Sequence, residues 1–512
     1  MHDTSSNSEN NNTIESDKNS ILGDNTSEIN VDMGDNDSNT IAKKVPVGHL
    51  PQELLEFFKN DSYSLLIKGK PGAGKTTFAL TLMDNLEYNS NYFYISTRLS
   101  NKQLSHFYPW INKFSLPVES KFEYKFEDAR LDEPESLFER ITNQLMDVKS
   151  PIIIIDTWDA IASFMDNESR LNNERVLQIW RERAGAKLIF LSESYDVSLL
   201  DSIVDGVVTL KRTIKNSTYS RKLYIHKLRG ISVNCSKYLF SLFDGYFHVI
   251  DPIDSLNMFD KFKKNLLNKN SDNDSNNTNI INLQSNLKGN NFNFFNEIFK
   301  HNKLVTMEFD SNLNNELILS ILFKSIYFWI ISNNSVLVNN FTWDFYNHLK
   351  QLIAFFKQSG LAEHDDSLIQ NLKFGNSDYD CDCDCDKNSN VEINKELHKV
   401  KHFEKYMDNV LNGYSSKNKN NSVLNIMDGN NNYHLFSDVN FINYLKNISI
   451  ANNLIVFKTG AIHKCETLIS ESQYYKIILK GRNILMTSLS DPPCSFGAII
   501  DNNYFVDWYP IY

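Results

Sequence analysis

Residues 64–86 read SLLIKGKPGAGKTTFALTLMDNL, and this stretch decides the fold class. An aliphatic run of strand character passes into a helix-competent run through residues 69–76, GKPGAGKT, which fit G-x-x-x-x-G-K-[ST] with both required flanks. Phosphate chemistry asks for that order. Gly69, Gly72 and Gly74 let the backbone carrying Gly69, Lys70, Pro71, Gly72, Ala73 and Gly74 wrap a pyrophosphate, and the following helix N-terminus adds partial positive charge. Lys75 is then placed to reach the β and γ phosphates, Thr76 to set its hydroxyl on Mg2+, and Thr77 to donate to the α phosphate.

On either side of this loop, from Val45 to Ile253, apolar runs alternate with amphipathic stretches. That pattern predicts an α/β fold, a mainly parallel sheet with helices on both faces. Strands are expected at 64–68, 92–96, 152–156, 187–192, 206–211 and 222–227. Residues 151–157, PIIIIDT, end four isoleucines on Asp156, where a carboxylate at the carboxyl edge of a parallel sheet meets the Mg2+ shell. A carboxylate in that position alone is ordinarily a cap or turn residue; paired with the loop it makes Thr76 and Asp156 the candidate metal residues. The chain lacks an [NT]-K-x-D guanine-recognition tetrad after this strand, so ATP is expected over GTP.

Composition divides the chain. Residues 1–43 are Asn, Ser, Asp, Glu and Thr with almost no aromatics, which predicts a disordered acidic tail ahead of the nucleotide domain at 44–255. An Asn-rich linker is expected at 256–292, where NKNSDNDSNNTN at 268–279 has no apolar side chain. A second, degenerate α/β domain is expected at 293–512, with low-complexity insertions near 376–392 and 415–432. Its opening repeats the order strand (303–309), loop, helix (316–331), strand (335–339), but the loop, DSNLNN at 310–315, has neither glycine nor lysine. No nucleotide is expected there.

Lys plus Arg is 52 against 63 for Asp plus Glu, a net charge of −11, and nine acidic residues of that excess lie in residues 1–40 against Lys18. The near-neutral remainder argues against a surface built to neutralise long nucleic acid. Six cysteines without a paired framework fit a reducing cytoplasm, and the longest apolar run, 317–331, is too short for a membrane span. The run DCDCDCD at 380–386 lacks the second ligand pair of a structural zinc site, so no metal is expected on it.

Taken together, SLLIKGKPGAGKTTFAL, YFYISTRLS, IIIIDTWDAIA, LIFLSES, IVDGVVTLKR and HKLRG resemble RecA-superfamily ATPases of the KaiC and GvpD type, over about residues 45–250. The words YISTRLS and HFYPWI are more similar to the archaeal gas-vesicle regulator family GvpD than to KaiC. The resemblance implies a homo-oligomer in which Lys227 and Arg229 of HKLRG reach the γ phosphate bound to a neighbouring copy. It also implies a regulator whose Mg-ATP occupancy switches contact with a protein partner such as a transcriptional activator. One departure stands out: where such ATPases carry a glutamate after the second strand, this chain has Ser96, Thr97 and Arg98, so only weak ATPase activity is expected. Glu193, just after the 187–192 strand, is the remaining carboxylate candidate to sense the γ phosphate or polarise water. The competing reading is a recombination-type ATPase acting on DNA, which calls for a basic Gly-rich loop; residues 194–205 contain no basic side chain.

Overall fold

The computed structural model describes residues 48–86, 91–114, 124–130, 133–145, 148–215 and 218–250, then 303–331, 334–339, 372–375, 403–409, 422–449, 451–459, 462–488, 495–500 and 506–511, with a few single positions between. The expected tail (1–43), linker (256–292) and insertion at 376–392 lie outside the described residues.

The first sheet holds β1 (Ser64–Lys68), β2 (Tyr92–Ser96), β3 (Tyr124–Asp128), β4 (Ile152–Asp156), β5 (Lys187–Ser192), β6 (Gly206–Lys215), β7 (Thr218–Leu228), β8 (Lys237–Ser241) and β9 (His248–Ile250). Their order is β3-β2-β4-β5-β1-β6-β7-β8-β9, parallel as far as β6 and antiparallel beyond it. The aliphatic runs are continuous because both faces are covered. Leu65, Ile67, Tyr94, Ile152, Ile154, Ile189 and Leu191 enter one core, with Phe78 and Leu82 of the helix Lys75–Asn85. Their neighbours Leu66, Ile95, Ile153, Ile155 and Phe190 enter the other, with Leu137 and Ile141 of Pro134–Leu145 and Leu177 and Trp180 of Asn167–Ala184. The parallel register places Lys68, Ser96, Asp156 and Ser192 together at the carboxyl edge.

The expected α/β class is the observed one, and four of the six expected strands have the expected limits. The last two are longer than expected, and β3, β8 and β9 are additional. β3 is a half-exposed edge strand, YKFED, whose charges hide its alternation.

The second sheet holds β10 (Leu304–Phe309), β11 (Ser335–Asn339), β12 (Leu372–Gly375), β13 (Val423–Asp428), β14 (Ala451–Lys458), β15 (Gln473–Lys480), β16 (Asn483–Ser488), β17 (Ser495–Ile500) and β18 (Val506–Pro510). Its order, β12-β11-β13-β14-β10-β15-β16-β17-β18, repeats the first sheet strand for strand when nine is subtracted from each label. It too is parallel as far as β15 and antiparallel beyond. The helix Asn315–Ile331 takes the place that Lys75–Asn85 takes in the first half.

The expected insertion at 415–432 needs correction. Val423–Asp428 is a wholly buried strand between β11 and β14, and only the Asn-rich flanks disguise it. Some of that asparagine is structural: Asn339 Nδ2 donates to Asn425 Oδ1 (2.7 Å), Asn425 Nδ2 to Asn453 Oδ1 (2.8 Å), and Asn453 Nδ2 to the Leu445 carbonyl (2.8 Å). This ladder gives three buried amides their partners.

The sheets meet through their antiparallel ends. Ser241 Oγ donates to the Pro510 carbonyl, Asn483 Nδ2 donates to the Ile250 carbonyl (3.1 Å), and the His248 and Tyr509 rings lie 4.4 Å apart. Gly497 is needed at this contact, because a Cβ there would come within 2.6 Å of Ile250. Among the described residues no helix is long and apolar enough to cross a membrane.

Candidate nucleotide site

The loop at 69–76 leaves the carboxyl end of β1 and turns into the helix Lys75–Asn85. Gly72 (φ 74°) and Gly74 (φ 100°) are left-handed, and Leu242 packs so closely on Gly74 that a Cβ would sit 2.9 Å from its Cδ1. Gly74 caps the helix without a side-chain hydrogen bond, so the first-turn N–H groups are left to an outside acceptor.

Lys75 is only 7% exposed. Its Nζ donates to the carbonyls of Gly69 (2.6 Å) and Lys70 (3.4 Å) and lies 3.8 Å from Glu193 Oε1. Burial pushes its pKa down, while Glu193 and Asp156 act to hold it up. Thr76 Oγ1 donates to Asp156 Oδ2 at 2.7 Å, and the Tyr94 hydroxyl donates to the same oxygen at 2.7 Å. Burial and the neighbouring Asp156 push the Tyr94 phenol well above its ordinary range, so it stays a neutral donor. Thr77 Oγ1 lies 2.9 Å from the Tyr108 hydroxyl.

The end of β5 is tied to the loop, since Gly69 N donates to the Ser192 carbonyl (3.0 Å). Asp159 holds the same corner, accepting from Ser192 Oγ (3.1 Å) and from Glu193 N. Glu193 Oε2 then takes Arg98 Nη2 at 2.6 Å. On the other flank Arg221 Nη1 donates to the Gly72 carbonyl (3.1 Å), with Arg212 directly opposite it across the β6–β7 pair.

Lys75, Thr76, Thr77, Asp156 and Glu193 are therefore brought together, with Arg98 beside them. Lys227 and Arg229 are not. They lie where β7 runs out beside the start of β6, with Leu228 opposite Gly206 and Gly206 level with Leu65 near the start of β1. That is the far end of the strands from the loop. There Lys227 Nζ donates to the carbonyls of Val204 (2.5 Å) and Asp201 (3.3 Å). Arg229 Nη1 pairs with buried Asp205 at 2.8 Å, which also takes Arg181 Nη1 (2.7 Å) and Ser64 Oγ (2.9 Å).

Sequence reasoning missed Tyr94, Tyr108, Asp159 and Arg221. Tyr94 carried a signal, because it lies two residues before Ser96 on the face of β2 that β4 presents with Asp156. Asp159 also did, three residues past Asp156. Nothing in the sequence links Tyr108 to Thr77.

The helix start free of a side-chain cap, the glycine-wrapped loop and the Thr76–Asp156 pair are the features of a P-loop α/β domain. Residues 54–229 match the family model described as GvpD gas vesicle protein, P-loop domain. GvpD1 of Halobacterium salinarum is 30% identical over 229 residues, 41% of this chain and 42% of its own length. GvpD2 of the same organism is 28% identical over 229 residues, 41% of this chain and 46% of its own. The chain thus matches less than half the length of these curated relatives. A KaiC-like protein from Pyrococcus horikoshii is similar at 20% identity and a TM-score of 0.31, over 37% of this chain and 90% of that one. Over residues 54–229 the chain is therefore similar to the GvpD P-loop domain.

Proposed function

We propose that the chain is a Mg-ATP-binding regulatory protein of the GvpD type, whose nucleotide occupancy, with slow hydrolysis, controls contact with a protein partner such as a transcriptional regulator. The observation that carries this reading is the pairing of the loop with Asp156 through Thr76 at 2.7 Å. A hydroxyl that donates to a carboxylate keeps its lone pairs for a cation, so Thr76 and Asp156 fit Mg2+ as the residues that would hold it. The metal would supply charge neutralisation between phosphates. Lys75 would turn from its carbonyl partners to the phosphates, and the first-turn N–H groups would receive the rest of the charge.

Slow turnover follows from the end of β2, where Thr97 and Arg98 offer no carboxylate to orient water. Lys227 and Arg229 would act only on a neighbouring copy, as a homo-oligomer of the KaiC type allows. The second half fits a degenerate duplicate without nucleotide. Asn314 Oδ1 accepts from Leu317 N (2.8 Å) and so caps the helix start that a phosphate would need. Asp428, the counterpart of Asp156, accepts instead from Asn430 N (2.9 Å) and Asn431 Nδ2 (2.8 Å) of its own turn.

Calorimetry with Mg2+ and a non-hydrolysable ATP analogue tests the assignment. One site per wild-type chain and none in Lys75→Ala are expected. Binding by Lys75→Ala as tight as wild type, or two sites per chain, would refute it.

A further inference from the structure

Lys75 and Arg98 approach Glu193 through its two different oxygens, Oε1 at 3.8 Å and Oε2 at 2.6 Å. The backbone beneath the carboxylate is held by Asp159 and by the bond from Gly69 N to the Ser192 carbonyl. The side chains above it are open, with Glu193 23% and Arg98 51% exposed against 7% for Lys75. A buried ammonium needs a nearby anion, and Glu193 is the carboxylate closest to it through a salt-bridge contact. A nucleoside triphosphate wrapped by the loop would bring its terminal phosphate to the same ammonium. Two anions about 4 Å apart repel strongly in such a site, so the carboxylate and the terminal phosphate exclude one another.

We propose that Glu193 and Arg98 are the residues that make this site distinguish a nucleoside triphosphate from a diphosphate: Glu193 is a resident counter-anion displaced by the terminal phosphate, and Arg98 is the cation that then binds that phosphate. The proposal rests on the Mg-ATP reading above and deepens it. It gives Glu193 a part opposite to that of a general base. A base is needed for turnover and leaves triphosphate affinity alone, whereas a counter-anion opposes triphosphate binding. Arg98 then stands where a glutamate is ordinarily found because its task is recognition of charge, for which a guanidinium with several fixed donors is suited.

The full chain is titrated, in Mg2+, with a fluorescent non-hydrolysable ATP analogue and with the matching ADP analogue. Arg98→Ala is expected to weaken the triphosphate roughly tenfold, the loss of one charge-assisted contact, and to change the diphosphate by no more than about twofold. Glu193→Gln is expected to tighten the triphosphate several-fold. A fold defect in either variant would move both nucleotides together. Equal effects of Arg98→Ala on both nucleotides, no effect on either, or weaker triphosphate binding by Glu193→Gln would overturn the proposal and leave the P-loop assignment standing. A wild type that bound neither nucleotide would remove both.

Discussion

His248 and Asp428 are expected to tilt the stability of the protein in opposite directions with pH, which single substitutions should unmask. His248 is 3% exposed on β9, its ring packed 4.4 Å from Tyr509 and 6.4 Å from Tyr246, with His49 bridged to it along the backbone. Burial first, and then His49, lower its pKa from 6.5 to about 4, against a smaller opposing effect of a backbone hydrogen bond. The unfolded chain therefore takes up a proton near pH 6.5 that the folded chain refuses until about pH 4. Its contribution is whole above pH 6.5 and is lost on acidification through that window, about 3 kcal/mol at 1.36 kcal/mol per pKa unit.

Asp428 runs the other way. Burial raises it from 3.8 to about 6, although Asn430, Asn431 and Lys458 pull it down. The folded chain keeps a proton that the unfolded chain has released, so stability falls as pH rises from about 4 to 6, again by about 3 kcal/mol. The two slopes cancel to first order in the wild type. Urea unfolding at several pH values between 7.5 and 4.5 should show that His248→Phe loses less stability on acidification than wild type. Asp428→Asn should gain on wild type above pH 6 and match it near pH 4. Variant and wild-type curves that stay parallel across this range would refute the reasoning for that residue.

Tyr94→Phe should leave nucleotide binding in EDTA unchanged and raise the Mg2+ concentration needed for half-maximal tightening several-fold, because Asp156 loses one of its two hydroxyl donors. Equal metal dependence in titrations of variant and wild type would show that Tyr94 only fills space. ATP turnover should rise in specific activity with protein concentration, and Arg229→Ala should remove about 10³-fold of the assembled rate. A concentration-independent rate in a protein shown to be monomeric, untouched by that substitution, would leave Arg229 as a partner of Asp205 alone.

The first half was legible where one residue type has one physical use. Left-handed turns at Gly72 and Gly74, a lysine after them and four isoleucines ending on Asp156 leave little freedom, and the structure puts each where the spacing does. Partnerships were not legible. Tyr94 reads as one more apolar residue of YFYIS until β4 is laid beside β2. Asp159 reads as a helix residue until β5 brings Glu193 N to it. β13 was lost for a different reason: asparagine on both sides lowers local hydrophobicity although Val423, Leu424, Ile426 and Met427 are all buried. The common strand order of the halves was only partly visible, because the edge strand β12 stands apart in sequence from β11, its one neighbour in that order.

The way the halves meet bears on how Lys227 and Arg229 would work. β8 and β9 of the first sheet touch β16, β17 and β18 of the second, largely equivalent strands of one repeated order. A contact between equivalent surfaces is isologous and closes on itself, as in a twofold dimer, rather than propagating head to tail. Among the described residues the second half therefore meets the first through the antiparallel ends. The HKLRG end remains at the opposite edge, Arg229 58% exposed on Asp205. The role proposed for it on a neighbouring copy would call for a heterologous contact, distinct from the internal one. The internal contact still reaches the nucleotide site at one place, since Leu242 packs on Gly74 while its neighbour Phe243 packs on Tyr509 at 6.2 Å.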